Sequence, residues 1–261
     1  RRQAGDRLRP EAGWANDSLP LLEPVPSMLF VPMSRRRLLP ILATLALLPL
    51  AASSGAAQED TSYFFPEGTA FDASIPSPEE FLGYPIGSFH TRHDRIVSYM
   101  ETLAELSDRA TIRTIGWTHE HRPMPVLTVS SPDNLGRLEQ IRVAHMAATE
   151  AEPTEDLPVI VHLGYGVHGN ETSSAEAAML TAYWLVAGTG SDVAQYLDEG
   201  VYHIEPVLNP DGRDRHTNWA NMHRSEPFVT DPLDREHNEV WPGGRTNHYW
   251  FDLNRDWLPL V

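Results

Sequence analysis

His168-Gly169-Asn170-Glu171 sets an imidazole and a carboxylate three residues apart, on a glycine-bearing loop just past an apolar run. Side chains so spaced, on a loop that enters a helix, can converge on one metal ion. Nitrogen and oxygen donors without sulfur suit catalytic zinc, which takes three protein ligands and leaves one position open for water. The chain has no cysteine, so a thiolate zinc site, a cysteine nucleophile and a disulfide are excluded. Taken alone, His-x-x-Glu fits equally a capped helix start with its carboxylate in solvent. Further along, Asn209-Pro210-Asp211-Gly212 closes a second apolar run with the composition of a turn. Arg224 follows fifteen residues after Asn209. Phe251-Asp252-Leu253-Asn254-Arg255-Asp256-Trp257 then sets charged groups in an aromatic stretch, where a charge needs a partner. Of the other histidines, His162 lies inside an apolar run and reads as a core residue or a support to the site. His216, His223, His237 and His248 fall in a long polar stretch and read as solvated.

These groups need elements to position them. Ile96, Tyr99, Met100, Leu103 and Leu106 recur at three- and four-residue steps, which predicts an amphipathic helix over 90–106. Thr111–Ile115 and Met124–Ser130 read as strands joined by a turn at 120–123. A second helix is expected over 135–148. Residues 157–163 form a short continuous apolar run, as in a strand buried on both faces. A helix follows over about 174–187, with Ser173 and Glu176 at capping-box spacing. Residues 201–208 make the next apolar strand. Strands alternating with helices predict an α/β fold: a mixed, largely parallel sheet with helices on both faces. In such sheets ligands bind beyond the carboxyl ends of the strands, where both motifs fall.

The N-terminal part has a different organisation. Arg35-Arg36-Arg37, the apolar run Leu38 to Leu50 and the small residues Gly55-Ala56-Ala57 make a secretory signal peptide over 33–57, cleaved near Ala57. Residues 1–32 then read as an extension upstream of the natural start. At thirteen residues the apolar run is too short to span a bilayer, so no transmembrane span is expected after cleavage. The expected address is secreted or periplasmic. Residues 58–85 carry Pro, Gly and aromatics without helical period and read as an extended lead-in segment. All 20 basic residues are Arg, against 36 acidic ones, and the formal charge of −16 excludes a nucleic-acid binder, which needs a basic face.

His-x-x-Glu, then Asn-Pro-Asp-Gly, then an Arg, then Asp-x-Asn-Arg, in this order, resembles the metallocarboxypeptidases of the M14 family over about 91–261. The resemblance implies a partial catalytic domain over 86–261, with Zn2+ as cofactor and His168 and Glu171 as two of its ligands. It implies that Asp252 orients the His168 ring, that Arg224 polarises the scissile carbonyl, and that Asn254 and Arg255 grip the substrate's terminal carboxylate. The substrate would be a peptide with a free C-terminus. Asp256 departs from the neutral residue usual after the Asn-Arg pair and could compete for Arg255. The third zinc histidine, the catalytic Glu and a capping Tyr would lie beyond Val261, so the chain itself is expected to bind zinc poorly and hydrolyse nothing. An amidase or deacylase on the same fold, and a zinc-free peptide-binding relative, remain alternative readings.

Overall fold

The computed structural model describes residues 61–148 and 157–258. The expected upstream extension (1–32) and signal peptide (33–57) lie outside them. Strands β1 (Ala110–Trp117) and β2 (Pro123–Val129) form an antiparallel hairpin. β3 (Val159–Gly164) and β4 (Gly200–Glu205) pair in parallel, and β4 pairs antiparallel with β2. The sheet order is β1-β2-β4-β3. The fold is mixed α/β, as expected, but the described sheet is not largely parallel: only β3–β4 pair in parallel, because the β1–β2 hairpin adds two antiparallel pairings.

Period-two alternation divides the two faces of the sheet. Leu127, Val129 and Ile204 point into the main core and are 0 % exposed. Two helices cover that face. α2 (His93–Leu106) contributes Ile96, Tyr99, Met100 and Leu103, four of the five residues its periodicity singled out; the fifth, Leu106, is 50 % exposed at the helix end. α5 (Ser174–Ala187) is apolar nearly all round and contributes Ala178, Met179, Ala182 and Val186. On the other face α4 (Leu138–Ala148) brings Ile141 near Val201 and His203. α6 (Ser191–Glu199) leads into β4, and α7 (Pro210–His223) leaves it through Asn209.

Three local expectations change. The segment 58–85 is not wholly extended, because α1 (Pro78–Leu82) forms there with a complete Ser77–Glu80 capping box. Five residues are too few to show a period, and the cap was the only available signal. The helix expected over 135–148 starts later, as α4 from Leu138, and a separate single turn, α3 (Pro132–Leu135), precedes it. β3 is not buried on both faces: Val159 is 61 % and Ile160 41 % exposed. An apolar run shows that a strand can be buried, whereas its place in the sheet decides whether it is, and β3 is an edge among the described residues.

Candidate metal centre

The connections after β3 and β4 run side by side past the strand ends. Tyr165 N donates to Glu205 O, Leu208 N to Tyr165 O and Asn209 N to Gly166 O, at 2.8–3.0 Å. This zipper carries His168 and Asn209 beyond the carboxyl ends of the two parallel strands, where such sheets bind ligands. Asn209 then starts α7. Its Oδ1 accepts from Gly212 N at 3.0 Å, Pro210 occupies the first turn, and its Nδ2 donates to Arg245 O at 3.2 Å. The Asn-Pro-Asp-Gly turn is thus a helix cap that also holds a distant loop.

Three glycines let three segments touch. A Cβ on Gly169 would stand 2.0 Å from Arg213 N and Gly212 C. One on Gly212 would stand 2.4 Å from Gly244 O, and one on Gly244 would meet the His216 Cβ at 2.6 Å. Any side chain there would separate the His168 loop, the start of α7 and the 243–252 loop.

His168 is 7 % exposed. Its Nε2 lies 2.8 Å from Asp252 Oδ1 and its Nδ1 3.2 Å from Glu171 Oε1. Asp252 is a hub: Oδ1 also accepts from Asn254 N at 3.0 Å, and Oδ2 accepts from Arg245 Nε and Nη2 at 3.0 and 2.7 Å. The His168 hydrogen bond above all, then Arg245 and the Asn254 amide, hold its pKa down to about 2 against desolvation. An ionised Asp252 accepts only, so His168 donates to it from Nε2, and Nδ1 is the ring nitrogen that faces Glu171. Two donors on a tetrahedral zinc at about 2.0–2.2 Å stand about 3.3 Å apart. The 3.2 Å between Nδ1 and Oε1 fits that ion.

Asn254 and Arg255 lie on an exposed 3-10 turn, Leu253–Arg255, capped by the Asp252 carboxylate. Asn254 Oδ1 accepts from Trp257 Nε1 at 2.8 Å, and Arg255 Nη1 donates to Asn254 O at 3.0 Å. Arg255 makes no ion pair among the described residues, with Asp256 or with any other carboxylate. Arg224 lines a cleft with Asn170 and Thr172, on either side of Glu171. It ends α7 with its guanidinium over Phe89 and Phe228, 4.3 and 5.5 Å from the ring centres. The guanidinium that joins the His168–Asp252 cluster is Arg245, which sequence reasoning passed over. Its signal was the Gly243-Gly244-Arg245 run seven residues before Asp252, legible only as glycines that permit a close approach.

Other expectations fare differently. Glu176 does not close a capping box with Ser173 but turns inward to Arg213 Nη2, at 2.7 Å. His162 is exposed on the edge strand and meets Glu205 Oε1 at 2.8 Å. His216 is not solvated: it is 7 % exposed, and its Nδ1 lies 2.9 Å from Glu239 Oε2. Although burial opposes it, Glu239 is held below the usual carboxylate range by His216, the Gly244 amide and Asn170. Glu120, Asp211 and His248 are the one group of three convergent metal-type donors among the described residues. Arg122 already donates to Glu120 and Asp211 at 2.6 and 2.7 Å, so a dication there would face a guanidinium. That cluster ties the β1–β2 turn to α7 and is a poor zinc site.

Comparison with known proteins gives one family. The family described as zinc carboxypeptidase matches residues 96–260. Carboxypeptidase E of Caenorhabditis elegans is 27% identical over 193 residues, covering 69% of this chain and 34% of that protein, so the chain spans about a third of this curated relative. A metallo-carboxypeptidase from Burkholderia cenocepacia aligns at 21% identity and TM-score 0.38, over 63% of this chain and 32% of that one. Carboxypeptidase A from Helicoverpa armigera aligns at 20% identity and TM-score 0.38, over 55% and 31%.

Proposed function

The chain belongs to the zinc carboxypeptidase family, and from that premise we propose that it carries two ligands of the zinc centre and the carboxylate anchor of an exported enzyme that removes C-terminal residues from peptides. The observation that carries the reading is His168 with Nε2 on Asp252 and Nδ1 3.2 Å from Glu171. A metal-binding histidine commonly gives its other N–H to a carboxylate, which fixes the tautomer and raises the basicity of the ligand nitrogen.

His168 Nδ1 and Glu171 Oε1 would hold the ion. Bound there, zinc lowers the pKa of a coordinated water toward neutrality and polarises the scissile carbonyl. The chain's own residues do the rest of the positioning. Asp252 holds the His168 proton at Nε2 and keeps the ring from turning. Arg224, which lines a cleft with Asn170 and Thr172, is the candidate to donate to the developing oxyanion, while Arg245 gives both Nε and Nη2 to Asp252 and holds that carboxylate against His168. Asn254 and Arg255 offer a neutral donor and an unpaired planar guanidinium, a combination suited to bidentate grip of a terminal carboxylate. Among the described residues no third His, Asp or Glu converges on the His168–Glu171 pair. A zinc-free binder would need neither the converging His168–Glu171 pair nor the Asp252 support.

Export is proposed from the 33–57 signal pattern; no helix among the described residues is long and apolar enough to cross a membrane. Calorimetric titration of the full chain with Zn2+, beside His168→Ala, tests the centre. Weak uptake that disappears in His168→Ala is expected, while equal uptake by both would end the zinc reading.

A further inference from the structure

Arg213 is the largest fully buried side chain among the described residues, and nothing in the proposed chemistry uses it. It follows Gly212 in α7, and its side chain is 2 % exposed. Nη2 donates to Glu176 Oε1 at 2.7 Å and Nε to Thr91 O at 3.0 Å. Nη1 lies 3.3 Å from Glu171 O and 3.5 Å from Thr172 O. Glu176 Oε1 also accepts from Thr91 N at 2.7 Å, while its Oε2 is buried without a partner.

A buried ion pair is a poor way to add stability, because desolvation cancels much of the Coulomb attraction and apolar replacements often do as well. What a guanidinium adds is geometry: a rigid planar fork with five donors in fixed directions. Here the fork reaches three elements: the backbone before α2, the start of α5, and the carbonyls that follow the metal donors. The main chain of Arg213 also abuts the same loop at its other end, since a Cβ on Gly169 would stand 2.0 Å from Arg213 N. One residue therefore touches the 168–172 loop at both ends. Fixing the Glu171 carbonyl fixes its peptide plane, and with it the direction in which the Glu171 side chain leaves the backbone.

We propose that Arg213, held by Glu176, is the positioning residue that locks the His168–Glu171 loop in its metal-ready shape. This rests on the zinc reading above for its purpose, but not for its geometry. Lysine would not replace it, because one ammonium cannot meet Glu176 and the loop carbonyls from a single fork.

The full chain is compared with Arg213→Lys, with the charge-free double variant Arg213→Met/Glu176→Gln, and with His168→Ala. Three quantities are read: amide hydrogen exchange, Zn2+ affinity by calorimetry, and melting temperature. Both Arg213 variants should speed exchange at residues 169–173 about tenfold or more, leave amides of α2 within about twofold, and weaken zinc about tenfold, the low end for residues that support a metal ligand. Wild-type exchange in the loop overturns the proposal. So does a loss of protection spread evenly over the chain with a matching fall in melting temperature, which is the mark of a merely structural pair. If His168→Ala takes up zinc as the wild type does, the zinc reading fails by itself, and the exchange measurement still decides the lock.

Discussion

The loop that carries His168 and the loop that carries Arg255 make up the candidate site, and they are held in opposite ways. The first is interior. Gly169 abuts the start of α7 by backbone alone, Arg213 grips the carbonyls at its far end, and His168 is 7 % exposed. The second is a surface turn in which Asn254, Arg255 and Trp257 are all exposed and bonded mainly to one another. α7 serves both through residues two apart, which leave a helix in nearly opposite directions. Arg213 reaches the metal loop, and Arg215 donates to Gly243 O and Asn247 O on the segment that leads to Asp252. Asp252 joins the two loops, with Oδ1 on His168 and on the Asn254 amide. The lesson concerns tolerance: a metal fixes its donors to within tenths of an ångström, so its loop is built into the core. A carboxylate anchor on a surface loop can adjust when substrate arrives.

The contrast breaks most readily at Gly169. Gly169→Ala puts a methyl 2.0 Å from main-chain atoms that cannot rotate away. The expected cost is about 3 kcal/mol or more, and a denaturant melt showing less than about 1 kcal/mol would mean that the junction is slack. The corresponding exposed-loop change, Arg255→Ala, should leave stability within about 0.5 kcal/mol.

Function should divide the same way. His168→Ala should abolish zinc uptake. Arg255→Ala should spare it and instead lower kcat/KM of the intact enzyme on free-acid peptides about tenfold to a hundredfold, with a much smaller loss on C-terminally amidated ones. Equal losses on both substrate types would move the reading to an amidase. Asp252→Asn tests the junction of the two loops: about a tenfold to hundredfold loss of zinc affinity is expected, and an unchanged titration would show that His168 needs no support.

The smallest effect is the dependence of folding on pH. Asp252 has a folded pKa lowered to about 2 from an ordinary value of 3.8, so its contribution is present above about pH 4 and is lost as pH falls toward 2. Asp252→Asn should flatten the stability profile over that window. Wild-type and variant curves that stay parallel from pH 5 to about 2 would show that the carboxylate gains nothing on folding.

Long helices were legible where apolar residues mark them, as in α2 and α5, whereas nine-residue α6 and the mostly polar fourteen-residue α7 were not found. α2 buries Ile96, Tyr99, Met100 and Leu103, four of the five residues read from spacing, whereas five-residue α1 was not found because only its cap was informative. Glu176 was misread for a related reason. Capping-box spacing is local, but its carboxylate answers to Arg213, 37 residues away and fully buried. His216 was taken for solvated because polar neighbours in sequence say nothing of Glu239 folding over it, 23 residues on.

By itself the sequence determined the donor types, their local spacing and the alternation of strand and helix, because these depend on composition and on periods of two and 3.6 residues. It determined that a metal here would meet imidazole and carboxylate, since no thiol exists in the chain. Only the tertiary structure decided which arginine stands by Asp252, which nitrogen of His168 meets Asp252 and which meets Glu171, and which way Glu176 turns. Each of those depends on a contact between segments far apart in sequence, such as the 84 residues between His168 and Asp252, and such contacts form only where glycines let the backbones meet.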